Sequence, residues 1–163
     1  NIKELEDKLN IKLERWPAIF TKSCPDNFKK TNRHSERGVT LAHLQVWRNL
    51  EKRTDVDYML ILEDDATLSI DNFKDKFNEI INKLDINVDI LKLGWCDSQC
   101  LHSYIINKKS VSKILNKIDD CNIIDGQIEK LYREGDDIIK SYNMYTNQEI
   151  NIQRFISELY GRI

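Results

Sequence analysis

The sequence predicts an α/β fold with a mostly parallel central sheet and helices on both of its faces. Three observations carry this. Short apolar runs at Tyr58–Leu62 and Val88–Leu93 stop abruptly, one at three acids and the other at Gly94. Such runs read as strands buried on both faces. Between and after them lie segments with the 3.6-residue periodicity of amphipathic helices. Strands alternating with helices in this way favour a parallel sheet.

Taken in order, the first helix carries Ile2, Leu5, Leu9, Leu13 and Trp16 and is stopped by Pro17, which cannot continue a helix. The second spans about 35–50, with Val39, Ala42, His43, Val46, Trp47 and Leu50 at i, i+3, i+4, i+7, i+8 and i+11. A third carries Phe73, Phe77, Ile80, Ile81 and Leu84 behind an Asp71 cap. Ser103–Ile106 is a further strand, leading into a helix with Val111, Ile114, Leu115 and Ile118. A short helix at 124–132, an edge strand within 136–145 and a closing helix with Ile152, Phe155, Ile156, Leu159 and Tyr160 complete the reading. The 163 residues suit a single domain, 1–163, with one core.

With 25 Lys plus Arg against 27 Asp plus Glu, the net charge of −2 gives no general electrostatic reason to bind nucleic acid or an anionic membrane. No apolar run is long enough to span a bilayer. Four cysteines, Cys24, Cys96, Cys100 and Cys121, match no zinc spacing. They could form two disulfides in an oxidising compartment. The expectation is buried reduced thiols, with cytoplasm favoured over a secretory lumen and the compartment left open.

The chemistry is sought first at Glu63-Asp64-Asp65. An apolar strand emerging into acids places carboxylates at the carboxyl end of a sheet, where open α/β folds bind ligands. By strand alternation Glu63 and Asp65 point one way and Asp64 the other. Two oxygen donors on one side suit Mn²⁺ or Mg²⁺, which could bridge a nucleotide diphosphate. The plainer alternative is a solvated acidic turn.

Two stretches, Gly38-Val39-Thr40-Leu41-Ala42-His43-Leu44-Gln45-Val46-Trp47 and Tyr58-Met59-Leu60-Ile61-Leu62-Glu63-Asp64-Asp65, together resemble glycosyltransferase family 25. That family includes lipooligosaccharide and collagen galactosyltransferases. Trp16-Pro17-Ala18-Ile19, Asp89-Ile90-Leu91-Lys92-Leu93-Gly94, His102-Ser103-Tyr104-Ile105-Ile106 and Ile124-Asp125 agree in order, so the resemblance covers about 16–132. It implies a GT-A-type, Rossmann-like sheet and inverting transfer of a hexose from a UDP-sugar to a glycan or protein hydroxyl. It also implies Glu63 and Asp65 as metal ligands, with Asp64 at the nucleotide, in the family's version of the Asp-x-Asp motif. Asp125 matches a family aspartate and either contacts the acceptor or is the base that takes its proton, the plainer alternative being a helix N-cap.

Other residues are weighed beside these. His43 lies on an apolar helix face; it is a buried histidine that could brace the acidic loop. His102 is a substrate-loop residue or a late metal ligand. Arg33 and Arg37 could neutralise a diphosphate or simply start a helix in solvent. Trp95 follows a strand end and a glycine and is a sugar-stacking candidate, whereas Trp47 and Phe77 fit packing.

The departures are specific. The family's opening strand would fall ahead of Asn1, so the resemblance is to an N-terminally shortened member. Thr40-Leu41 replaces the family's usual small residues before the histidine, and the region around Gly38 lacks the family's common glutamate in that register. The alternative reading is therefore a catalytically inactive GT-A-like binding or scaffold domain.

Overall fold

The computed structural model describes residues 2–22, 24, 34–64, 75, 78, 82, 88–93, 101, 103–133 and 141–143. Their elements are α1 (Ile2–Leu9), α2 (His34–Lys52), β1 (Tyr58–Leu62), β2 (Ile90–Lys92), β3 (Ser103–Asn107), α3 (Lys108–Leu115), α4 (Ile124–Arg133) and β4 (Ser141–Asn143). The closing helix expected at 152–160 lies outside the described residues, as does most of the one at 73–84. Asp75, Asn78 and Asn82 are helical and exposed, as the polar face of that segment should be.

Helix α1 stops seven residues short of Trp16, because Asn10 turns into the left-handed region at φ 52°. The amide of Ile11 donates to Glu6 O (3.2 Å) and that of Asn10 to Asp7 O (3.3 Å), closing the last turn as a Schellman motif. The Glu6 carboxylate then accepts from the Leu13 amide at 2.8 Å, which turns the chain away. Leu5 and Leu9 remain as the buried face.

Helix α2 forms at the expected place, but its buried face is rotated. Thr40, His43, Leu44, Trp47 and Leu50 are buried, while Val39, Ala42 and Val46 are only partly covered. Helix α3 ends at Leu115, with Asn116 N donating to Ser112 O and Lys117 N to Ile114 O, so Ile118 falls beyond it. Its start is set by Asn107, whose side chain accepts from the Lys109 amide at 3.0 Å.

The four strands lie in the order β1-β3-β2-β4. Strands β2 and β4 are parallel, with Ile90 opposite Ser141, Leu91 opposite Tyr142 and Lys92 opposite Asn143. Strand β3 runs the other way. Leu93 N, just past the end of β2, donates to Ser103 O at the start of β3 (2.9 Å). Lys108 N, just past the end of β3, donates to Asp57 O ahead of β1 (2.8 Å). The sheet is therefore mixed, which corrects the expectation of a mostly parallel one. Ten residues separate β2 from β3, short of the dozen or more that a parallel crossover usually needs. An apolar run reads the same whichever way its neighbour points, so periodicity could not reveal this. Every residue of β1 is only half-buried, whereas β2 and β3 are buried throughout. Strand β1 ends the order among the described strands, which explains the difference from the fully buried strand expected there.

The chain groups into two compact units, each assembled from separated segments: 1–14, 60–105 and 140–163 in one, 15–59 and 106–139 in the other. The first buries Leu5, Leu9, Ile90, Leu91, Leu101 and Tyr104. In the second, α2 packs on α3 and α4 around Trp47, Leu50, Ile114 and Ile128.

The second unit also holds a Cys24–Cys121 disulfide joining positions 97 apart in sequence, with Cα atoms 5.7 Å apart. This corrects the expectation of reduced thiols for that pair. Only the fold brings together residues so distant along the chain. Cys96 and Cys100 lie outside the described residues.

Candidate active site

The apolar strand β1 delivers Glu63 and Asp64 at its carboxyl end, Glu63 half-buried and Asp64 in an exposed turn. Both belong to the first unit. Their oxygens are donors of the kind a hard divalent cation takes. Asp65, which completes the expected ligand pair, lies outside the described residues, as do Arg33, Trp95 and His102.

The second unit carries the remaining candidates. His43 is buried on α2, its ring 6.2 Å from that of Trp47 and tilted by 59°. Arg37 is held by its own scaffold. One terminal nitrogen donates to Lys22 O (3.0 Å) and the other pairs with Asp120 at 2.9 Å, while its buried Nε has no hydrogen-bond partner among the described residues. Asp125 is half-buried and is the second residue of α4. The N-cap position falls to Ile123, so the cap reading of Asp125 gives way to a carboxylate in the first turn. There the helix dipole favours negative charge.

The residues that sequence reasoning passed over are those of the turn 119–122, just ahead of α4. Asp119 accepts from the Cys121 amide (2.9 Å) and from the Asn122 side chain (2.6 Å). Gln127 reaches back from α4 and makes three bonds. Its oxygen accepts from Asp119 N (2.7 Å), and its nitrogen donates to Asp119 O (2.8 Å) and Asn122 O (3.1 Å). Buried Thr40 on α2 donates to Asn122 O at 2.8 Å. A polar Asp-Asp-Cys-Asn run before a helix was a visible turn signal; its tie to α2 was not.

Ligand atoms of Asp119, Asp120 and Cys121 lie within 4.8 Å of one another. They do not make a metal centre. The Cys121 sulfur is in the disulfide, Asp120 pairs with Arg37, and both Asp119 oxygens are bonded within the turn. Among the described residues, no helix is long and apolar enough to cross a membrane.

Compared with known proteins, residues 7–102 match the family model described as glycosyltransferase family 25 (LPS biosynthesis protein). The matched segment contains α2, β1, the acidic triplet and β2, and stops short of Asp125. No curated protein and no solved structure gives a significant match.

Proposed function

The chain belongs to glycosyltransferase family 25, since the match spans more than half of its length, and we propose that it transfers a hexose from a UDP-sugar to a glycan or protein hydroxyl with inversion. One observation carries the reading: within the matched segment, β1 ends directly on the carboxylates Glu63 and Asp64. The sheet is proposed to be of GT-A type.

Glu63 and Asp65 would hold Mn²⁺ or Mg²⁺, because their all-oxygen donor set fits a hard cation. When bound, such an ion supplies charge neutralisation to the departing diphosphate. Asp64 is assigned to the nucleotide and Trp95 to stacking on the sugar. Arg33 is the candidate for the diphosphate, whereas Arg37, engaged by Lys22 and Asp120, is assigned to the scaffold. His102 would brace a loop beside the donor, whereas His43, buried on α2, is assigned to the packing of its own unit.

Asp125 is the proposed base. As the acceptor oxygen attacks the anomeric carbon in line, its proton passes to the Asp125 carboxylate while the bond from that carbon to the diphosphate oxygen breaks.

The test is UDP release across a panel of UDP-sugars, with UDP binding measured by calorimetry with and without Mn²⁺. Asp65→Ala should abolish the divalent-dependent part of UDP binding. Asp125→Asn should lower turnover by about two to four powers of ten with donor binding nearly intact. Metal-dependent UDP binding with no release from any donor would overturn the transfer reading in favour of a recognition domain.

A further inference from the structure

The ties within the second unit converge on one short turn. Residues 119–122 are fastened to the segment ahead of α2 by the Cys24–Cys121 disulfide. They are fastened to α2 itself by the Arg37–Asp120 ion pair and by the Thr40 hydroxyl on Asn122 O. Gln127 then locks the same turn to the first turn of α4 through three hydrogen bonds. Asp125 sits inside that clamp, between the turn and Gln127 along the chain.

A four-residue turn needs little of this to hold its own shape, since Asp119 already closes it internally with two bonds. What the external ties add is a fixed placement of the N-terminus of α4 relative to α2. A proton acceptor must be held within a fraction of an ångström of its working position, and small displacements lower turnover steeply.

We propose that the Cys24–Cys121 bridge and Gln127 are positioning residues for Asp125, acting through the turn 119–122. The proposal rests on Asp125 being the base. Both cysteines are buried, 8% and 5% exposed, which marks the bridge as a standing part of the scaffold. The Gln127 amide ties α4 to backbone atoms on both sides of the bridged Cys121. Removal of either element leaves the Asp125 carboxylate chemically intact and frees the helix start that carries it.

Two variants of the whole chain test this, the double substitution Cys24→Ala with Cys121→Ala, and Gln127→Ala. Both are assayed well below their melting temperatures beside Asp125→Asn. In each, kcat should fall about tenfold with KM for the donor unchanged. Amide exchange at 123–127 should speed up by a similar factor, and that readout does not need turnover. Should the chain without the bridge fail to fold, Gln127→Ala decides. Parental kcat and parental exchange in a folded variant would overturn the positioning role while leaving Asp125 as base. An Asp125→Asn chain that turns over normally would remove the base reading, and the positioning role with it.

Discussion

A Cβ placed on Gly38 would stand 2.6 Å from the carbonyl oxygen of Ile19, so α2 and the extended segment before it meet where only glycine fits. On propensity alone, alanine in a helix interior would be favoured over glycine by up to about 1 kcal/mol. Here the obstacle is backbone, which cannot rotate aside. Gly38→Ala should therefore lower stability, by about 1–3 kcal/mol, in urea unfolding. A stabilised variant would mean that the two segments part easily.

Thr40 has one hydroxyl proton and two carbonyls in reach, Asn122 O at 2.8 Å and Glu36 O at 3.2 Å. Thr40→Val removes the donor at nearly constant volume. Asn122 O still has the Gln127 amide at 3.1 Å, so it is not orphaned. The loss should be on the order of 1 kcal/mol rather than the larger penalty of a buried unpaired acceptor. A loss several times greater would show that the Gln127 bond does not survive alone.

Asn10 ends α1 with φ 52°, where a β-carbon is costly and asparagine is among the few side-chain-bearing residues that tolerate it. Asn10→Ala should destabilise by roughly 1 kcal/mol and Asn10→Gly should be neutral or stabilising. Equal melting temperatures for the two would argue against the left-handed turn.

The disulfide closes a loop spanning 97 positions. On chain-entropy grounds its loss should lower stability by about 2–5 kcal/mol. The Cys24→Ala, Cys121→Ala double variant, compared with the parent by thermal melting without reductant, measures it. An unchanged melting temperature would mean that the ion pair and hydrogen bonds of the turn suffice.

The exposed Asp55 carboxyl is held down to about 2, chiefly by its hydrogen bond with Arg53 at 2.6 Å. Its folded value lies below the unfolded one, so its contribution is present above about pH 4 and is lost as pH falls toward 2. Being exposed, it should respond to salt. NMR titration of Arg53→Ala should raise the Asp55 value toward the ordinary carboxylate range without fully reaching it, because the backbone hydrogen bond and Lys108 still hold it down; no change would assign the shift to the backbone.

What the sequence alone determined is mostly local. Helix α2 and the strands β1 and β3 are written in short-range periodicity, and the family in motifs strung along a contiguous stretch. The places where local reasoning failed share a cause. The end of α1 rested on one residue's backbone angle, at Asn10, which an apolar pattern running on to Trp16 overrode. The direction of β3 depended on which neighbour it met, and the half-burial of β1 on its place in the sheet order. The rotation of the α2 face toward Thr40 followed from a partner, Asn122, far along the chain. Only tertiary structure decided the turn 119–122, because its disulfide, ion pair and hydroxyl bond each join residues more than eighty positions apart. Sequence spacing carries no signal for such pairs. They form because folding brings the two chain segments within bonding distance, and that proximity belongs to the whole unit rather than to any segment of it.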